Sequence, residues 1–203
     1  MNHLAHALVS GADEDVILGS MLGDFVHGRI DTALPVGVQR GLALHRAVDV
    51  YTDSHPIVAE VRGLFQPPFR RYAGIILDIW FDHLLARDFG RWSGESLDGY
   101  SVALRDILLR HSNSLPIALR GFLRYMQAHD LPLAYRDEER IAQVLSGVGT
   151  RLKRANPLAE SMLEVERLRP ELQVAFDAFF PELIAFGEQR RGVTPPTTFV
   201  IPA

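Results

Sequence analysis

His45 and Asp49 stand four residues apart, Asp78 and Asp82 repeat that interval, and His3 and His6 are separated by three. On a helix each pair shares a face. Six of the eight histidines fall within the first 83 residues, interleaved with Asp24, Asp49, Asp78 and Asp82 in otherwise apolar segments. An ionised carboxylate buried alone is strongly destabilising, so Asp78, set among Ile75, Ile76, Leu77, Ile79 and Trp80, requires a cation or a hydrogen-bond network. A divalent metal meets that need. Held by His and Asp it would lower the pKa of a bound water and offset phosphate charge, while a further His or Asp orients the nucleophile or protonates a leaving oxygen.

The chain must supply helices to bring these groups together. Apolar residues recur at helical spacing nearly throughout and no segment alternates as a strand would, so the expected fold class is all-α. The spacing predicts helices over about 1–9, from a cap at Asp13 to a stop at Gly28, and over about 36–52, 57–65, 69–89, 97–110, 116–129, 138–146, 158–166 and 170–189. The most apolar, 69–89, is the expected central buried helix. A length of 203 residues with 47% hydrophobic content suits one domain over 1–192, followed by a tail over 193–203 that Pro195 and Pro196 keep from being helical.

Composition narrows the chemistry further. Without cysteine there is no disulfide, thiolate nucleophile or thiolate ligand, which leaves nitrogen and oxygen donors for a hard or borderline ion. A formal charge of −4 argues against non-specific nucleic-acid binding but does not by itself decide the partner; no nucleic-acid partner is expected. No apolar run approaches the roughly 20 residues that span a bilayer, and no basic flank precedes an apolar N-terminal run. A cytoplasmic enzyme with no membrane partner is the expectation; oligomeric state is not legible.

Each residue also has a plainer reading. His27, His55, His111 and His129 suit hydrogen-bonded structural roles. Asp13 reads as a helix cap, Asp31 as a turn residue and Asp53 as either a cap or a catalytic group. Asp24 follows Gly19, Ser20 and Gly23, small residues that allow close helix packing or substrate approach. Asp82 and His83 point about 100° apart, so they cannot both face one ion.

Four segments carry a resemblance: Met1-Asn2-His3-Leu4-Ala5-His6, Gly19-Ser20-Met21-Leu22-Gly23-Asp24-Phe25-Val26, Leu44-His45-Arg46-Ala47-Val48-Asp49-Val50-Tyr51-Thr52-Asp53 and Leu77-Asp78-Ile79-Trp80-Phe81-Asp82-His83. Together they resemble the acyl carrier protein phosphodiesterases, a family described as distorted relatives of the HD phosphohydrolases. The resemblance implies a compact, distorted HD-like helical bundle. It also implies a manganese-dependent hydrolase, with magnesium or another divalent ion as substitute, that removes 4′-phosphopantetheine from holo-acyl carrier protein and leaves the apo form. The family usually has an aromatic residue where this chain has His3, which leaves His3 incidental. The adjacent His-Asp pair that names HD enzymes is absent from the motifs: His129-Asp130 lies far downstream, and Asp82-His83 is reversed.

On this reading His6, Asp24 and Asp78 are the candidate metal ligands. His45, Asp49, Asp82 and His83 are the candidate catalytic group, with His45 and Asp49 also the next candidates as ligands and His45 the expected acid. Arg46 is the nearest cation for a substrate phosphate, and Arg62, Arg70 and Arg71 are candidates for a basic rim facing an acidic carrier protein. Two alternatives stand beside this reading: an HD-like phosphohydrolase of a nucleotide or other small phosphoester, and a non-catalytic helical binding module whose His and Asp residues satisfy one another.

Overall fold

The computed structural model describes residues 2–191. Among these residues every regular element is helical and there is no strand. In chain order the α-helices are α1 (His3–Val9), α2 (Glu14–Met21), α3 (Val36–Ser54), α4 (Pro56–Leu64), α5 (Ala73–Arg87), α6 (Phe89–Ser93), α7 (Leu97–Arg110), α8 (Ile117–Ala128), α9 (Glu138–Arg151), α10 (Ser161–Arg167) and α11 (Arg169–Arg191). Single turns of 3₁₀ helix occupy Phe69–Tyr72, Leu133–Arg136 and Leu158–Glu160. The expected tail lies outside the described residues.

The largest departure from the spacing is at α2. The helix ends at Met21 with Leu22 as its C-cap, well before the glycine expected to stop it. Two short turns then carry residues 23–25, and Gly28, at φ 79°, belongs to the loop beyond. Asp24 therefore sits on a turn just past the helix, where its carboxylate can swing toward α3. The 69–89 segment likewise divides into a 3₁₀ turn and α5, and α11 runs through Pro181 without breaking. Burial of Phe176, Phe179, Phe180 and Leu183 on α11 holds the helix across that proline.

A single apolar cluster runs from Leu4 to Leu183, with Trp80, Phe81, Ile76 and Leu85 of α5 at or near zero exposure. α5 is thus the central element that the other helices pack around. It anchors α1 directly: the Asp82 carboxylate, fully buried, accepts from the backbone N–H groups of Leu4 at 2.8 Å and Ala5 at 3.1 Å. These are first-turn donors that an α-helix leaves unpaired, and Asn2 gives no side-chain cap of its own. A carboxylate from a helix 78 residues away does the capping instead.

α2 and α3 meet backbone to backbone. A Cβ on Gly41 would stand 2.1 Å from the Val16 carbonyl oxygen and 2.8 Å from the Gly19 Cα, and a Cβ on Gly19 would stand 2.1 Å from the Val38 carbonyl oxygen. Only hydrogen fits at both positions. Gly41→Ala should force the helices apart and destabilise the fold by about 2 kcal/mol, within the usual range for overpacking a close contact. Urea unfolding followed by circular dichroism measures it, and a midpoint equal to wild type would show that the crossing does not depend on a bare Cα at Gly41.

Candidate metal centre

Three elements deliver imidazole and carboxylate groups to one place. His6 comes from α1, Asp24 from the turn after α2, and His45 with Asp49 from successive turns of α3. The Nε2 atom of His6 lies 3.1 Å from Asp49 Oδ1. His45 Nε2 lies 3.3 Å from Asp49 Oδ2 and 3.4 Å from Asp24 Oδ1. The two imidazoles stack, with ring centroids 3.8 Å apart and planes at 16°. Both rings are buried at 2–3% exposure, whereas the Asp24 and Asp49 side chains are roughly half exposed. The carboxylates therefore form the solvent-facing side of the cluster and the rings its floor.

Packing, rather than a hydrogen bond from the far ring nitrogen, fixes the ring of His45. A Cβ on Gly23 would stand 2.1 Å from His45 Cγ, so that glycine lets the turn lie flat on the imidazole. The Nδ1 atoms of His6 and His45 are buried and have no hydrogen-bond partner among the described residues.

Electrostatics divides the two rings. Burial opposes charge on His45, but the carboxylates of Asp24 and Asp49 outweigh it and raise its pKa to about 9. Burial dominates at His6 and lowers it to about 4, with the Asp49 hydrogen bond opposing only in part. Burial also works against ionised Asp24, yet His45 and His3 hold its pKa at about 2; Asp49 is lowered in the same way by His45 and His6. The cluster is therefore a buried imidazolium between two carboxylates, stacked on a neutral imidazole.

The donor set fits a divalent cation. One atom from each of His6, His45 and Asp49 lies within 4.8 Å of the others, close enough for one ion to gather them with bonds of about 2.1 Å. Their nitrogen and oxygen chemistry suits a borderline or hard metal. The opposing protonation tendencies also suit it, since a cation can replace the single proton that now neutralises the carboxylates.

The remaining sequence candidates are distributed as follows. Asp78, half-buried on α5 with its pKa raised by burial, lies outside this three-residue group. Asp82, raised to about 7 by burial despite the two N–H donors, is turned to the start of α1. His83 donates from Nδ1 to the Tyr135 carbonyl at 2.8 Å, and its Nε2 lies 3.9 Å from Glu138, on α9. Arg46 donates to the carbonyls of Gly28 at 2.7 Å and Val26 at 3.0 Å, which ties the loop after α2 to α3. Arg62 pairs with Asp53 one turn beyond Asp49, while Arg70 and Arg71 are exposed on the 3₁₀ turn before α5. The His129-Asp130 dipeptide ends α8, where Asp130 pairs with Arg105. His3, incidental by sequence, has its Nδ1 3.5 Å from Asp24 Oδ2. Its spacing of three from His6 was the available signal.

An all-helical frame whose imidazole and carboxylate groups can share a divalent ion defines the class of a candidate helical metal-site protein. The family model described as acyl carrier protein phosphodiesterase matches residues 1–183, and the chain belongs to that family, one of phosphodiester hydrolases. Proteins named acyl carrier protein phosphodiesterase from Escherichia coli O139:H28 (strain E24377A / ETEC) and from Escherichia coli strain K12 / DH10B are each 31% identical to it over 186 residues, covering 91% of this chain and 96% of theirs. No solved structure matches.

The proton on His45 makes a stability prediction for the metal-free protein. Its folded pKa of about 9 exceeds the unfolded value of about 6.5, so its contribution is complete below the unfolded value and lost as pH rises through about 9. Chelator-treated protein should lose melting temperature between pH 7 and 9.5, and His45→Gln should lose much less over that interval. Parallel profiles for the two proteins would show that His45 does not carry that proton.

Proposed function

We propose that this protein is a metal-dependent phosphodiesterase that removes 4′-phosphopantetheine from holo-acyl carrier protein in the cytoplasm and leaves the apo form. The observation that carries the reading is the convergence of His6, His45 and Asp49 in a chain of the acyl carrier protein phosphodiesterase family. Manganese is the proposed ion and magnesium the substitute. His6, His45 and Asp49 would hold it, with Asp24 beside them. When bound it would lower the pKa of a water and offset the charge of the phosphodiester.

Asp24 has the geometry to handle the reacting water. It is ionised and half exposed, lies 3.5 Å from His3, and stands 3.4 Å from the His45 nitrogen that would hold the ion. In this role it orients the attacking water and takes its proton. The water oxygen bonds to phosphorus, the bond from phosphorus to the serine oxygen breaks, and the proton passes from Asp24 to that serine oxygen. The products are an unmodified serine and a phosphomonoester. The floor position of His45 favours a ligand role over the acid role that its sequence context suggested. Asp82 and His83 act at one remove, Asp82 by fixing the start of α1 and hence His6.

Carrier-protein recognition is assigned to exposed arginines. Arg62, paired with Asp53 one turn beyond Asp49 on α3, and Arg70 and Arg71, exposed on the turn before α5, are the proposed rim for an acidic, helical substrate. Distant kinship with HD phosphohydrolases is proposed as what the family resemblance implies.

Purified protein with manganese should convert holo- to apo-acyl carrier protein, read as mass loss from the carrier and release of 4′-phosphopantetheine. Chelation should abolish turnover and added manganese restore it. His6→Ala and Asp49→Ala should each reduce kcat/KM by on the order of a hundredfold or more, since loss of a metal ligand exceeds the 10–100-fold loss usual for groups supporting one. Turnover of nucleotides but not of holo-carrier protein would reject the substrate. Undiminished activity in both variants, with folding intact, would reject the site.

A further inference from the structure

An open groove of about 770 Å³ adjoins the cluster and shares His3 and Asp24 with it. It runs between α8 and α9, and its walls include Phe25, Phe122, Tyr125 and Val148. The aromatic side is continuous with the site: the His3 ring lies 4.2 Å from Phe122, centroid to centroid, and Phe122 lies 6.1 Å from Phe25. The volume falls within the usual range for small-molecule sites, roughly 300–1,000 Å³. Among the described residues its lining contains one arginine or lysine, Arg151, the last residue of α9. That guanidinium is exposed and makes no hydrogen bond or ion pair among the described residues. Its charge nevertheless reaches His3, where it opposes protonation.

We propose that this groove binds the pantetheine arm of the substrate, with Arg151 pairing with the phosphate and the Phe25–Phe122 wall receiving the gem-dimethyl segment beside it. The inference rests on the phosphodiesterase reading and adds to it the place and residues of arm recognition. Two features select the occupant. A groove of mixed polar and apolar lining that begins at the cluster suits a ligand whose reacting phosphate stays at the cluster while its uncharged, amide-bearing arm extends away. Arg151, unpaired among the described residues, is a cation in the lining that complements a ligand with one anionic end, while Asp24 marks the end of the groove at the cluster. Arg46, held by the Val26 and Gly28 carbonyls, leaves the phosphate to Arg151.

Gly121 permits a test that spares the fold. It lines the groove, and a Cβ there would meet only Arg124 Nη2, at 4.0 Å. Gly121→Leu should fill the groove while improving helix propensity, so its melting temperature should equal or exceed wild type. With holo-acyl carrier protein, Gly121→Leu and Arg151→Ala should each raise KM roughly tenfold with little change in kcat, as expected when binding common to ground and transition states is lost. Calorimetric titration with free 4′-phosphopantetheine should show a dissociation constant raised roughly tenfold in both variants. Pantetheine without its phosphate should be weakened by Gly121→Leu and unaffected by Arg151→Ala. Unchanged KM and unchanged phosphopantetheine affinity in both folded variants would overturn the assignment, as would tighter binding of adenosine monophosphate than of phosphopantetheine. If wild-type protein fails to convert holo-carrier protein, the phosphodiesterase reading falls, and the calorimetric comparison still decides whether the groove takes the arm.

Discussion

The contact on which the site depends is the backbone crossing of α2 and α3 at Gly19 and Gly41. Side chains at these positions would hold the helices apart, because each Cβ would fall 2.1 Å from a carbonyl oxygen of the partner helix. With the helices in contact, the turn after α2 lies over α3, and Gly23 rests on the His45 ring. Asp24 is then placed 3.4 Å from His45. The distance between a carboxylate and an imidazole is thus set by two residues that have no chemistry of their own. Arg46 reinforces the arrangement by gripping the loop carbonyls of Val26 and Gly28 from α3.

The other half of the cluster is positioned by a different kind of force. α1 carries His6 but is only seven residues long, too short to be stable by its own hydrogen bonds. Apolar packing of Leu4, Ala5, Ala7 and Val9 and the Asp82 cap from α5 hold it. A carboxylate with both oxygens engaged by buried N–H donors is fixed in orientation as well as position. The site therefore joins a tight steric contact on one side to a buried polar anchor on the other.

Much of this was legible in the sequence. All-helical character followed from spacing, and the His45/Asp49 interval on one helix face was recovered directly in α3. The gathering of His6 and Asp24 around that pair had its signal in the four motifs, but the internal arrangement did not. Asp78 and Asp82 share a face of α5 by spacing, yet one caps α1 while the other stands outside the three-residue group, because tertiary contact rather than periodicity decides which carboxylate meets which donor. The early end of α2 was hidden by apolar residues that continue past Met21 into a turn. Arg151 had no local motif at all. It enters the groove lining through the packing of α8 and α9 beside His3 and Asp24, more than a hundred positions away in the chain.

The buried imidazolium at His45 has a consequence for occupancy. A cation held by His6, His45 and Asp49 would have to displace the hydrogen ion on His45, so loading would be an exchange of one positive species for another. Under conditions where His45 would otherwise stay charged, each unit of acidification would weaken apparent loading about tenfold. On the proposed reading, the sheltered ring is the point at which a metal ion and a hydrogen ion would compete for the same place.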